Sequence, residues 1–178
     1  MKKIYLIRAN KNPYGGAENY LMRLCNELKR RKIDYETINS NLPKFLPSWL
    51  RVLVFNYYLT ISKGDKFYFS LERISCSDVY RAGDGVHKIH LKYLKKSKLN
   101  PLHPVYLYLE KKCFNNSKKI IVNSKMVKNE IKETYGIPDQ KISVIYNGFD
   151  AEQIDYSESY KKIVNEFRIA DQEYILLF

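Results

Sequence analysis

The opening stretch of the chain limits its fold more than any other. Lys3–Arg8 is short, apolar and rich in β-formers, which predicts a buried strand. A loop with proline and glycine, "NKNPYGG", follows it. A helix is then predicted from about Ala17, with Leu21, Leu24, Cys25 and Leu28 at three- and four-residue spacing. Glu18 in its first turn and "KRRK" (Lys29–Lys32) in its last suit the helix dipole. Tyr35–Asn39 reads as a second strand. A strand, a helix and a strand within 40 residues are the signature of a parallel sheet with a right-handed crossover.

The rest of the chain continues the alternation. Pro43 and Pro47 break the chain, Ser48 is placed as the cap of a helix reaching about Ser62, and Gly64 stops it. Lys66–Leu71 and Val79–Ala82 are strand candidates. Lys88–Lys98 has helical character, Pro101 and Pro104 interrupt it, and another helix is predicted over Val105–Phe114. "KKIIVNS" is a strand ending at a capping Asn123/Ser124, the helix Lys125–Tyr135 buries Val127 and Ile131, and Gly136 terminates it. "KISVIYNGFD" is a strand closed by an Asn147–Gly148 turn, and "SESYKKIVNEFR" is a short helix before the apolar end Tyr174–Phe178. The expected class is α/β, a Rossmann-like, doubly wound parallel sheet.

Composition bounds the function. With 178 residues, 45% of them hydrophobic and 28% charged, the chain can bury a full core. The net charge of +12 implies an anionic partner such as a lipid headgroup layer, a phosphorylated substrate or nucleic acid. Three widely spaced cysteines, Cys25, Cys76 and Cys113, suggest neither a disulfide framework nor a zinc knuckle and read as cytoplasmic thiols. The longest apolar run, Val52–Ser62, is well short of the ~20 residues a spanning helix needs.

Three segments carry candidate chemistry. "PYGGAENY" (Pro13–Tyr20) joins the first strand to the first helix, where two glycines admit a ligand close to the backbone and free N–H groups favour an anion. It is not the G-x-G-x-x-G dinucleotide fingerprint. "YRAGDGVHKIH" (Tyr80–His90) gathers Arg81, Asp84 and His87 after a later strand, a set able to orient sugar hydroxyls or take up a proton. His87 and His90 at i, i+3 also raise a metal reading, but no third ligand is evident. Lys88–Lys119 holds nine lysines and one acid, Glu110, with tyrosines and leucines between them. That pattern suits an anionic membrane surface through Lys88, Lys92, Lys95, Lys96 and Lys98, and it also suits nucleic acid, although no base-reading motif accompanies it.

Taken in order, "YGGAENYLMRL", "ERISCSDVYRAGDGVH", "YLEKKCFNNSKKIIVNSKMVKNEIKETYGIP" and "ISVIYNGFD" resemble the N-terminal half of family 4 retaining glycosyltransferases of the GT-B fold. Within that family they are most similar to bacterial lipopolysaccharide core glucosyltransferases. The resemblance implies a Rossmann-like acceptor-binding domain over residues 1–150. Residues 151–178 are then an interdomain linker helix and the first strand, Tyr174–Phe178, of a second domain. It implies a nucleotide-sugar donor with no cofactor and no metal, and a lipid-linked glycan acceptor. Asp84 stands where the family places a catalytic acidic or histidine residue. Gly15 and Gly16 would approach the donor diphosphate or the sugar, with Glu18, Arg81 and His87 among the donor- and acceptor-binding residues. Tyr20 occupies a position that is polar in some relatives.

The expected protein is the acceptor-binding half of a hexosyltransferase, inactive alone, peripheral on the cytoplasmic face of a bacterial inner membrane and bound to no nucleic acid. The alternatives are a non-catalytic basic module docking on anionic membrane and, further down, a nucleic-acid-binding protein.

Overall fold

A computed structural model describes residues 3–10, 15–93, 100–148 and 156–167. In chain order these build β1 (Ile4–Ile7), α1 (Gly16–Arg30), β2 (Tyr35–Ile38), α2 (Ser48–Ser62), β3 (Phe67–Ser70), β4 (Val79–Ala82), α3 (His87–Tyr93), α4 (Leu102–Asn116), β5 (Lys119–Val122), α5 (Lys125–Tyr135), a 3₁₀ turn (Asp139–Lys141), β6 (Ile142–Val144) and α6 (Tyr156–Phe167). The described strands form one sheet in the order β2-β1-β3-β4-β5-β6, and every adjacent pair is parallel. This is the doubly wound α/β class predicted from the sequence. Two compact units divide the chain, Met1–Asn147 with the whole sheet and Gly148–Phe178 with α6.

Strand sequence explains the layering. Leu6 and Ile7 are neighbours on β1, so they point to opposite faces, and both are fully buried. The sheet is therefore covered on both sides there, as parallel sheets require. Ile7 and Tyr68 pack with Phe55 and Leu59 of α2. Further along, Tyr80, Ile120, Val122 and Ile142 pack with Cys113 and Phe114 of α4 and with Val127 and Ile131 of α5.

Local signals set most element ends. Ser124 Oγ accepts a hydrogen bond from Val127 N at 3.1 Å and caps α5, while Gly136 closes it at φ 66°. Other ends differ from expectation. Pro47, not Ser48, sits at the cap of α2, and Ser48 is its first helical residue. Pro104 does not interrupt α4, which starts at Leu102 behind Pro101. Pro104 falls in the first turn, where a helical N–H has no intrahelical partner to lose. Beyond Val144 the chain has no regular structure through Gly148, and the expected Asn147–Gly148 turn runs on past the described residues. The predicted strand at Tyr174–Phe178 lies outside the described residues.

Asp78 ties the middle of the sheet together. It is 5% exposed. Its carboxylate accepts from Tyr68 N at 2.9 Å, pairs with Lys118 Nζ at 2.9 Å and also takes Lys63 Nζ. Its carbonyl accepts from Lys118 N at 2.8 Å. Burial alone would raise its pKa, but the bonds from Lys63, Tyr68 and Lys118 outweigh it and hold the carboxyl below its usual range. Folding therefore favours the ionised form. The stability this contributes is complete above the ordinary carboxylate range and is lost as pH falls through the lowered native value. Asp78→Asn should flatten the acid limb of a stability-against-pH curve, and Asp78→Ala should lower stability by roughly 3 kcal/mol in urea unfolding. Unchanged acid sensitivity in Asp78→Asn would show that the carboxylate has no such role.

Candidate active site at the carboxyl edge of the sheet

The strand order reverses between β1 and β3, since β2 lies on one side of β1 and all later strands lie on the other. In open parallel sheets the crevice outside the carboxyl ends at such a switch point is where ligands bind. Arg8 leaves β1 at this point. Its Nη2 donates to Glu18 Oε1 of α1 at 2.6 Å and its Nη1 to Glu72 Oε1, just after β3, at 2.9 Å. Ala9 N donates to the same Glu72 oxygen at 3.0 Å. The hydrogen bond from Arg8 holds the Glu18 carboxyl below its usual range. Glu72 goes the other way, because burial outweighs the pull of Arg8. Gly15 is needed here: at φ 142° a Cβ would lie 2.4 Å from Glu18 Oε2, inside the pair. A Cβ on Gly16 would meet open space, which leaves that backbone approachable.

The loop after β4 forms the other half of the edge. Arg81 is 8% exposed and firmly held. Its Nη2 donates to Asn147 Oδ1 at 2.7 Å, and its guanidinium lies 3.8 Å from the centre of the Tyr20 ring. A Cβ at Gly83 would sit 2.2 Å from Arg81 Nη1, so only glycine leaves the guanidinium in place. Asp84 behaves differently. Its side chain is 70% exposed, and its nearest cation is Arg73, at 3.9 Å. Of the site residues proposed from sequence, it is the carboxylate open to a ligand.

Beneath Asp84 lies Glu110 of α4, with no exposed surface. Its Oε2 accepts from Arg73 Nε at 3.1 Å and from His87 N at 2.6 Å. Its Oε1 accepts from Lys88 N at 3.2 Å and from the Tyr135 hydroxyl at 2.6 Å. One buried carboxylate thus caps α3, anchors the end of α5 and holds Arg73. Arg73 in turn donates to Gly85 O at 3.3 Å and faces Asp84. The His87 ring turns towards α4, with Nε2 3.2 Å from His103 Nδ1 and its ring edge-on to Tyr106. Burial, then the Arg73 charge, push its pKa down. The metal alternative paired His87 with His90, but their ring centres are 6.3 Å apart and His87 meets His103 instead.

Between this loop, α3 and the start of α5 opens a cleft of about 460 Å³. Asp84, His90, Glu130 and Asn123 give it polar groups, while Tyr93 and Met126 give it apolar surface. That mixture suits a sugar ring, with hydroxyls to bond and a face to cover. Lys88 and Lys92 are exposed on α3. Lys95, Lys96 and Lys98 lie outside the described residues.

Arg8, Glu72, Arg73, Asn147 and Glu110 are the site residues that sequence reasoning did not single out as such. Only Glu110 gave a signal, as the lone acid in a lysine run.

Comparison with solved structures gives this sheet the GT-B glycosyltransferase fold. The crystal structure of WaaG, a glycosyltransferase involved in lipopolysaccharide biosynthesis, superposes with a TM-score of 0.71 at 14% identity, covering 96% of this chain and 52% of WaaG. The chain therefore spans about half the length of that protein. The lipopolysaccharide outer core galactosyltransferase WaaB, in its apo form, aligns at 18% identity with a TM-score of 0.48, over 86% of this chain and 48% of WaaB. Residues 79–153 match the Glycosyltransferase Family 4 model. No curated protein matches the chain significantly.

Two outcomes check the site's construction. Glu110→Ala, which strands a buried guanidinium, should lower stability by roughly 3–5 kcal/mol in denaturant unfolding, whereas a loss below about 1 kcal/mol would mean the network does not hold the loop. His87 should titrate below the usual imidazole value of ~6.5 in an NMR pH series, and a normal or raised value would contradict the buried, cation-facing ring.

Proposed function

We propose that the chain is the acceptor-binding half of a retaining glycosyltransferase. In this reading a sugar passes from a nucleotide-sugar donor to a lipid-linked glycan of the lipopolysaccharide or lipooligosaccharide core type. The observation that carries the reading is where the family match falls. It begins at Val79, the first residue of β4, and so takes in Arg81, the Asp84 loop, Glu110, α5 and Asn147.

The chemistry follows from the placement of the groups. In a retaining transfer the acceptor hydroxyl oxygen bonds to the anomeric carbon on the face that the leaving nucleotide occupied. The carbon–oxygen bond to the diphosphate breaks, and the hydroxyl proton must be taken up. Asp84, exposed at the cleft and steadied by Arg73, is the group assigned to orient sugar hydroxyls and ease that proton away. The open backbone at Gly16 suits the approach of the donor phosphates or sugar to α1. Glu18, engaged with Arg8, sets the geometry of that loop. Arg81 and His87 shape the cleft through Asn147, Tyr20 and His103. No metal or cofactor enters the reading. Lys88 and Lys92, with the lysines after them, hold the protein on the cytoplasmic side of an anionic inner membrane, where the acceptor lies.

In this reading the donor is held largely by a half that these 178 residues do not span. The isolated chain should transfer no sugar from nucleotide-sugar donors. It should still bind core oligosaccharide, with NMR shifts confined to the cleft around Asp84, His90 and Asn123. Asp84→Asn should weaken that binding roughly tenfold, the loss of one charge-assisted hydrogen bond. Turnover by the isolated chain, or glycan binding indifferent to Asp84→Asn, would sink the corresponding part of the reading.

A further inference from the structure

The cleft beside Asp84 is lined by two carboxylates, Asp84 and Glu130, and by no lysine or arginine. In a chain with a net charge of +12 that lining runs against the charge of the whole. The two acids come from different elements. Asp84 stands on the loop after β4, and Glu130 stands on α5. A Cβ added to Gly85 would lie 4.0 Å from Glu130 Oε2, so the Glu130 carboxylate overhangs the loop that carries Asp84.

Glu130 is the acid at this edge that the fold leaves unused. Glu18 and Glu72 share Arg8, Glu110 is filled by its own donors, and Asp84 has Arg73 beneath it. The lysines on α5 nearest to Glu130 in sequence, Lys128 and Lys132, each reach Asp139 at 2.8 Å instead. Glu130 is half-buried, yet it makes no hydrogen bond or ion pair among the described residues. A carboxylate partly withdrawn from water and left without a partner gains most from a cation that enters the same space. The rest of the lining says what kind of cation. Tyr93 is 80% exposed and Met126 67% exposed, which puts apolar surface in the lining beside the two acids. Asn123 Nδ2 donates to Gly83 O at 3.2 Å, and its amide oxygen is left as a further acceptor. Among the described residues no three groups stand close enough to hold a metal ion, so an organic cation with hydroxyls and a ring face fits best.

We infer that Glu130 is a specificity residue that selects an acceptor sugar bearing a free amino group. Its carboxylate accepts hydrogen bonds from the sugar ammonium, Asp84 stays available to a neighbouring hydroxyl, and Tyr93 and Met126 cover the ring. The same lining rejects acidic sugars. A phosphate or carboxylate in the cleft would meet two like charges, with no lysine or arginine of the lining to offset them. This inference rests on the reading of the cleft as the acceptor site and adds to it the charge class of the sugar that enters.

The test is an NMR titration of the full chain in mildly acidic buffer, where the amine is protonated and the carboxylates are ionised. The probes are methyl glucosaminide, its N-acetyl form, methyl glucoside, glucose 6-phosphate and ethanolamine. Methyl glucosaminide should bind roughly tenfold more tightly than the two neutral glycosides, and glucose 6-phosphate should bind most weakly. Glu130→Gln keeps the shape of the side chain and should erase the preference for the amine while leaving neutral binding as it was. Glu133→Gln, on the same helix but outside the lining, should change nothing. If no glycoside shifts the amides around Asp84, His90 and Asn123, the acceptor site itself fails and the inference fails with it. If amino and neutral glycosides bind equally, or glucose 6-phosphate binds best, the acceptor site stands and the inference is overturned. A preference for the amine that survives Glu130→Gln overturns the role given to Glu130. Ethanolamine binding as tightly as methyl glucosaminide overturns the assignment to a sugar.

Discussion

The site depends on one buried carboxylate. Glu110 has no exposed surface and binds four groups from three separate stretches of chain: Arg73, the amides of His87 and Lys88, and the Tyr135 hydroxyl. Desolvating a charge is expensive, and such a group persists only when its lone pairs are met. Here they are met by a guanidinium, a phenol and the start of a helix. The result is mechanical. The loop that carries Asp84 has few hydrogen bonds of its own, yet its floor is fixed by Arg73 and the amides that follow it are fixed by Glu110. Asp84 can then be exposed to a ligand without being loosely placed.

A second network does the same for the other side of the crevice. Arg8 joins Glu18 of α1 to Glu72 after β3, across the point where the strand order reverses. The two networks are neighbours, for the charge of Asp84 is felt by both Arg8 and Glu72. Acids and bases at this edge largely neutralise one another. The excess positive charge lies elsewhere, part of it on Lys88, Lys92, Lys111 and Lys112, exposed on α3 and α4. Charge is divided accordingly: paired where geometry must be held, solvent-facing on α3 and α4.

What could be read from sequence follows the range of the forces involved. The limits of α5, Lys125–Tyr135, and of β4, Val79–Ala82, were legible because Ser124, Gly136 and the apolar runs act over a few residues. The start of α4 was not, since Pro104 looks like a breaker unless its place in the first turn is known. Asp84 was legible as a candidate through its glycine-flanked loop after a strand. Its support was not: Arg73 and Glu110 are 37 residues apart, Arg81 and Asn147 are 66 apart, and Arg8 and Glu72 are 64 apart. Only the parallel sheet brings those pairs together. The spacing of His87 and His90 suggested one partnership, and the packing of α3 on α4 created another, with His103.

Helix α3 links the two halves of the functional picture. Its first amides are held by Glu110, so it belongs to the site. Ile89 packs into the core beneath it, while Lys88 and Lys92 face outward, so its surface belongs to the basic layer. Its position is inherited from what it touches, Glu110 at its first amides and the core around Ile89. Tyr93 and His90 of this helix line the cleft, so the carboxylate beneath the Asp84 loop also fixes a wall of the cleft.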